Sequence, residues 1–111
     1  MDIVFKSKKL EKTLNSEKEI YRKYGKEIGR LLMRRLQFLS SAPTLADVPQ
    51  IPPERCYELR GERKGEFAVD LKHPYRLVFR PYHDPVPRKD DGGVDLNKIT
   101  IIEIITIEDY H

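Results

Sequence analysis

The stretch ITIIEIITI at residues 99–107 decides the fold. It holds six isoleucines in nine positions, so an extended chain would present apolar side chains on both of its faces. Such a segment at the edge of a sheet would invite pairing with other molecules. We therefore expect a strand that is covered on both faces and lies in the middle of a sheet.

Shorter runs with a two-residue period supply partners for this strand. Residues 55–60 and 66–71 predict a hairpin whose turn spans residues 61–65, and residues 75–80 predict a further strand. A first short strand is predicted at residues 2–5. The alternation in the second and third of these runs gives the sheet one apolar face and one polar face.

Two helices are predicted between the first strand and the hairpin. Ser7 is a candidate N-cap for a short helix, and Ser16 opens a capping-box sequence. Apolar residues then recur every three or four positions as far as Leu39, which indicates a long helix with one face turned to a core. Gly25 and Gly29 lie inside this helix at a cost of about 1 kcal/mol each, so we expect close packing at both.

The predicted order is β-α-α-β-β-β-β, an α+β domain whose two helices pack on one face of a mainly antiparallel twisted sheet. With 111 residues the chain fits a single domain, 1–111. Residues 81–98 form an extended polar loop that lacks the order of ligands of a calcium loop. Cys56 is the single cysteine, and with the three histidines it matches no zinc spacing. We expect neither a metal nor a cofactor.

Charge is unevenly distributed along the chain. The net charge is +3, but residues 1–41 hold eleven Lys or Arg against five Asp or Glu. This balance fits a polyanion partner, an acidic protein partner, or a solvated helix face. The sequence contains neither a signal-peptide core nor an apolar stretch of the roughly 20 residues needed to cross a bilayer. We expect a cytoplasmic location.

Candidate chemistry gathers around the last strand. The chain ends in Asp109, Tyr110 and His111, which supply a carboxylate, a phenol and an imidazole for proton transfer. Five basic residues lie in and between the neighbouring strands: Arg60, Arg63, Lys64, Lys72 and Arg76. Cleavage of an RNA phosphodiester needs cations to offset charge on the phosphate and groups that move protons. In a purely structural alternative, Arg60 and Arg63 pair with Glu58, Glu62 or Glu66.

Three segments together resemble a known family. They are LRGERKG at residues 59–65, HPYRLVF at 73–79 and EDYH at 108–111. In this order they resemble the HigB-like "plasmid maintenance killer" toxins of the RelE/ParE superfamily. The resemblance implies a toxin of a type II toxin-antitoxin system that cleaves messenger RNA on the ribosome. It also implies a helix-turn-helix antitoxin partner, with indirect contact to operator DNA through that antitoxin.

The resemblance assigns roles to residues by position. Asp109, Tyr110, His111 and Arg76 match the catalytic positions, and Arg60, Lys72, Arg63 and Lys64 are candidates for binding RNA phosphate. The expected reaction is a metal-independent attack of the ribose 2′-OH on the adjacent phosphate. The sequence leaves open which residue is the general base and which the general acid.

The chain also departs from the family pattern. Tyr57 stands where the family often has a histidine, and the loop of residues 81–98 is longer than the usual tight turn. A ParE-like toxin that inhibits DNA gyrase by binding, without cleaving anything, is the alternative on the same scaffold. A third possibility, a nucleic-acid-binding protein without toxicity, lacks a helix-turn-helix or aromatic RNA-binding signature.

Overall fold

A computed structural model describes residues 1–110, and the predicted order of elements is confirmed there. Two helices and five strands follow one another along the chain. Their bounds are β1 Asp2–Phe5, α1 Lys8–Leu14, α2 Glu17–Ser41, β2 Tyr57–Glu58, β3 Phe67–Asp70, β4 Tyr75–Pro81 and β5 Ile101–Asp109. The chain is therefore an α+β protein, as the sequence predicted.

The five strands form one sheet in the order β1-β5-β4-β3-β2. β1 runs parallel to β5, and the other neighbouring pairs are antiparallel. β5 thus lies inside the sheet as expected, although β4 is the central strand. The register between these two strands shifts at Val78, which faces Thr106, and Phe79, which faces Ile104. β5 accordingly carries one extra residue, Ile105, at this bulge.

The core lies between the helices and one face of the sheet. Leu32 and Leu39 of α2 are fully buried in the same cluster as Leu77, Phe79 and the other apolar residues of that face. The isoleucines of β5 were expected to be covered on both faces, but they are fully covered only on the face that packs against the helices. Ile102 and Ile104 are fully buried, whereas Ile105, on the face without helices, is only half-buried.

The caps of both helices are confirmed. The hydroxyl of Ser7 accepts a hydrogen bond from the backbone N–H of Leu10, and that of Ser16 accepts one from Glu19. α2 is kinked at Gly25, which has φ +82° and ψ 172°. This conformation, rather than close packing, is the reason for a glycine at that position, since nothing lies within 4 Å of the place of a Cβ atom.

The hairpin is shorter than predicted. Residues 55–60 were expected to be a strand, but only Tyr57–Glu58 pairs with β3. The residues before it fold back on the proline-rich connection, because the backbone N–H of Cys56 donates to the carbonyl of Pro49. A 3-10 turn at Gly61–Arg63 connects β2 to β3.

The loop that follows β4 is anchored rather than freely solvated. Val94 is buried, and Arg88 and Val94 form an isolated bridge across the loop. Among residues 1–110 no group of His, Cys, Asp or Glu has an arrangement that could hold a metal ion. None of the helices in this part of the chain has the length and apolar character that a membrane span requires.

Candidate active site

The face of the sheet without helices carries the candidate site. A small apolar cluster of Leu59, Ala68 and Val78 lies on this face, with Tyr57 and Ile105 packed beside it. Next to that cluster the face becomes strongly charged. We call this charged group the arginine cluster and define it by Arg55, Arg63 and Arg76 with their carboxylate partners Asp70 and Glu108.

Arg76 is the most enclosed of the three arginines, with only 13% of its side chain exposed. Its Nε and Nη2 atoms lie 2.9 and 2.6 Å from Oε2 of Glu108, its partner in the strand register. Its Nη1 donates a hydrogen bond of 2.9 Å to the hydroxyl of Tyr57. The guanidinium also lies over the ring of Tyr110, 4.7 Å from its centroid. Arg76 is therefore held from three sides.

Glu108 joins two arginines through one carboxylate. Arg63 binds it in a two-pronged manner, with Nη1 2.7 Å from Oε2 and Nη2 3.0 Å from Oε1. Hydrogen bonds from Arg63 and then from Arg76 lower the pKa of Glu108, although partial burial opposes this. Glu108 is thus ionised at neutral pH and a weak base. Its position suits a counter-ion that orients the arginines.

Arg55 completes the cluster from the connection that precedes β2. Its Nε and Nη2 lie 2.6 and 2.9 Å from the two carboxylate oxygens of Asp70 at the end of β3. Its guanidinium lies 4.5 Å from the centroid of the Tyr57 ring, and its Nη2 donates to the hydroxyl of Tyr110 at 3.3 Å. The buried side chain of Arg35 fixes this connection, since it donates to backbone carbonyls of Asp70 and Pro53.

The end of β5 carries two of the three predicted terminal residues within the described part of the chain. Asp109 is exposed and lies opposite Tyr75 in the strand register. The backbone N–H of Tyr110 donates to the carbonyl of Pro74, which holds its ring beside Arg76. The ring of His73 lies 5.9 Å from that of Tyr110. The prediction for His111 lies outside the described residues.

The structure brings together some of the predicted residues and separates others. Arg76, Arg63 and Tyr110 belong to one contiguous group. Lys72 instead pairs with Glu27 of α2, with Nζ 2.7 Å from Oε1. Arg60 and Lys64 are exposed at the hairpin turn and form no ion pair within residues 1–110.

The purely structural alternative, in which arginines of the hairpin pair with its glutamates, holds for Arg63. Arg63 donates to Glu66 at 3.0 Å, as the simple pairing would have it. The same guanidinium also reaches Glu108 on the far strand. Hairpin pairing and membership of the cluster therefore coexist in Arg63.

The site residues predicted from the sequence did not include four members of this site, Arg55, Tyr57, Asp70 and Glu108, although Tyr57 was noted as a departure from the family pattern. Strand alternation could have found Glu108, because a residue two positions before Tyr110 shares its face. The pairing of Arg55 with Asp70 left no signal of this kind. It depends on how the connection before β2 folds back on the sheet.

The fold is the one found in YoeB/ParE-type toxins. The chain resembles a YoeB/ParE toxin from Agrobacterium tumefaciens with a TM-score of 0.60 and 11% identity, over 100% of both chains. It also resembles a chain of a YoeB-YefM complex from Staphylococcus aureus, with a TM-score of 0.55 and 14% identity, over 100% of this chain and 97% of that one. At such identities the likeness concerns the fold.

The sequence itself shows the family. The chain is 33% identical to Toxin HigB-1 of Vibrio cholerae over 81 residues, which are 72% of this chain and 83% of that toxin. No protein-family model matches the chain. The chain belongs to the HigB-like toxins of the RelE/ParE superfamily and is a toxin of a type II toxin-antitoxin system. Ribosome-dependent RNA cleavage is the known activity of this family.

Proposed function

We propose that this toxin inhibits translation by cutting messenger RNA on the ribosome, and that the arginine cluster is its phosphate site. The observation that carries the proposal is the environment of Arg76. Its guanidinium is held at a fixed position on the open face of the sheet by Tyr57, Glu108 and Tyr110. Arginine donors that are already in position before the reaction stabilise the transition state of phosphate cleavage, because they offset the negative charge that develops on the phosphate oxygens.

The reaction we propose uses the substrate as its own nucleophile. The ribose 2′-oxygen loses its proton to a general base and forms a bond to the adjacent phosphorus. The bond from phosphorus to the 5′-oxygen then breaks, and a general acid protonates that oxygen. The products are a 2′,3′-cyclic phosphate and a new 5′-hydroxyl end. Asp109 and His111 are the proposed proton carriers, and which of them is the base stays open.

Each tyrosine of the site has a proposed role through Arg76. Tyr57 accepts a hydrogen bond from Nη1 and so fixes the rotation of the guanidinium. It is a positioning residue. Tyr110 places a ring beside the same guanidinium and can stack on a base or donate to the phosphate. Arg63 lies close enough to share the phosphate, since it binds the same carboxylate as Arg76.

Glu108 sets a condition on substrate binding. The carboxylate occupies the donors of Arg76 and Arg63 that would otherwise face a phosphate. A phosphate that enters the site must therefore displace Glu108 or use the donors that remain. We propose that the ribosome contributes here by holding the messenger RNA against the cluster. We also propose that a cognate antitoxin neutralises this toxin and that the toxin acts in the cytoplasm.

The proposal is tested with purified toxin, ribosomes and a labelled messenger RNA. We expect new 5′-hydroxyl ends inside the coding sequence when ribosomes are present, and little cleavage of the same RNA without them. Efficient cutting of naked RNA would contradict the dependence on ribosomes. Intact messages in cells that instead accumulate trapped gyrase-DNA complexes would select the ParE-like alternative.

A further inference from the structure

A second concave site lies beside the arginine cluster. It is a cavity of about 560 Å³ between the hairpin turn and the loop that follows β4. Its lining includes Lys64, Arg80, Tyr82, His83, Val86 and Arg88. Four of these six come from the loop, so the cavity exists because the loop is there. The catalytic proposal makes no use of it.

The aromatic wall of the cavity is fixed by backbone hydrogen bonds. The N–H of Tyr82 donates to the carbonyl of Ile101 at 2.9 Å. Nε2 of His83 accepts hydrogen bonds from the N–H groups of Thr100 and Ile101 at 3.1 and 3.3 Å. Tyr82 nevertheless remains 51% exposed, which is unusual for so large a ring. A ring that is attached to a fixed backbone and open to solvent suits stacking against a planar ligand.

Three cations line the cavity together with this ring. Arg80 pairs with Glu103 at 2.7 Å but keeps half of its side chain exposed, and Arg88 donates to the carbonyl of Gly92 at 3.0 Å. Lys64 is exposed and has no ion-pair partner within residues 1–110. Two carboxylates, Glu66 and Asp84, also line the cavity. Glu66 is already bound by Arg63, and the three cations of the lining outnumber its two carboxylates.

The cavity and the arginine cluster are continuous along the open face. Arg76 and Arg80 lie on the same face of β4, four residues and about 13 Å apart at the rise of a strand. Glu66 links the two sites, since it lines the cavity and accepts a hydrogen bond from Arg63 of the cluster. A strand of nucleic acid that is bound at the cluster would therefore run toward the cavity.

We infer that this cavity binds one nucleotide of single-stranded RNA that flanks the cleaved phosphate, with its base stacked on Tyr82 and its phosphate beside Lys64 and Arg88. The inference rests on the proposed function and deepens it by adding a subsite. Aromatic rings combined with cations are how proteins hold unpaired nucleotides. The apolar side chains of Val86 and Val94 give the base a dry contact.

The experiment measures binding without cleavage. A short, fully 2′-O-methylated RNA cannot supply the attacking hydroxyl, so its affinity for the full chain reports binding alone. We expect Tyr82→Ala to weaken this affinity about tenfold, because a stacked base is lost. Tyr82→Phe should restore most of it. Phe38→Ala removes another exposed aromatic ring, one on α2, and should bind RNA like the wild type.

The outcomes separate this inference from the proposed function. Equal RNA affinity in wild type and Tyr82→Ala, or no binding by the wild type, would overturn the subsite even if the toxin cuts messenger RNA. Unchanged RNA affinity with weaker binding of the antitoxin would assign the cavity to a protein segment and also overturn it. A toxin that fails to cut messages but loses oligonucleotide affinity in Tyr82→Ala would sink the cleavage proposal alone.

Discussion

Arg76 and Glu108 face each other directly across the neighbouring strands β4 and β5, with Nη2 of the arginine 2.6 Å from Oε2 of the glutamate. The same carboxylate also binds Arg63 from the hairpin turn. Two arginines that would serve a phosphate are thus held by an internal anion. The arrangement orients the arginine donors before substrate binds. It also means that a substrate phosphate must compete with Glu108 for those donors.

The Glu108 carboxylate should make stability depend on acid pH. Its pKa is lowered by the arginines, so the carboxylate binds protons less readily in the folded than in the unfolded state. Its stabilising effect is complete above the unfolded pKa of about 4.3 and is lost as the pH falls through the lower folded pKa. We expect Glu108→Gln to be less stable than the wild type at pH 7, with a difference that shrinks toward pH 3 in urea unfolding.

Glu27→Gln is the matched control for this measurement. Glu27 also pairs with a cation, Lys72, but 59% of its side chain is exposed, and surface pairs contribute little. Its stability should follow that of the wild type at all pH values. If the stability of Glu108→Gln equals that of the wild type from neutral to acid pH, the Glu108 carboxylate does not stabilise the fold as a counter-ion of the arginines.

Arg76→Ala should lower the rate of messenger RNA cleavage on the order of 10²-fold, by analogy with the loss of one preorganised donor to an oxyanion. Arg76→Lys keeps the charge without the two-pronged geometry and should recover only part of the rate. The measurement is single-turnover cleavage on programmed ribosomes. Arg22→Ala, which breaks an exposed pair on α2, should cleave like the wild type. A fully active Arg76→Ala would remove this residue from the site.

The sequence predicted the parts of this protein that depend on local pattern. The isoleucine run and the alternation around Arg76 follow from hydrophobic patterns that are readable in the chain, and the caps at Ser7 and Ser16 follow from residue types at helix starts. The motif at residues 108–111 also led to the right family. Such features can be predicted without knowing which residues far apart in the chain come into contact.

The features that the sequence did not predict depend on contacts between residues that are far apart in the chain. Arg55 reaches Asp70 because the proline-rich connection folds back and Arg35 holds its backbone. Lys72 turns to Glu27 because α2 passes near the end of β3, a contact that no periodicity encodes. The single glycine with a left-handed φ inside α2 looked like a packing position, since its backbone conformation is invisible in the sequence.

Tyr57→Phe tests whether the phenol positions Arg76. The variant removes the hydroxyl that accepts from Nη1 but keeps the ring against Arg55. We expect cleavage to fall about tenfold, since a hydrogen bond to a charged group is lost. The fall should appear in the single-turnover rate rather than in the RNA concentration that half-saturates the reaction, because the fold and the charges remain. A change confined to RNA affinity would instead place Tyr57 in substrate binding.

Removal of residues 109–111 should separate stability from function. The truncated chain loses the hydrogen bond from Tyr110 to Pro74, the one from Arg55 to the Tyr110 hydroxyl, and the contacts of the Tyr110 ring with Arg76 and His73, at a cost of about 1–3 kcal/mol. It should stay folded and still bind the antitoxin, whereas cell killing should vanish. Ile104→Asp is the contrasting variant, because it buries an unpaired charge in the core and should unfold the chain. Undiminished killing by the truncated protein at equal expression would defeat the catalytic assignment of the terminus.

The two glycines of α2 should respond differently to a second substitution. Gly25→Ala forces a side chain into a backbone region that only glycine adopts readily, at about 1–3 kcal/mol of unfolding free energy. Gly29→Ala costs stability for another reason, because its Cβ would lie 2.9 Å from Cδ1 of Tyr21. Adding Tyr21→Ala should relieve part of the Gly29 defect and leave the Gly25 defect unchanged. Urea unfolding of the single and double variants measures this coupling. Equal relief of both defects would contradict a backbone origin for the glycine at the kink.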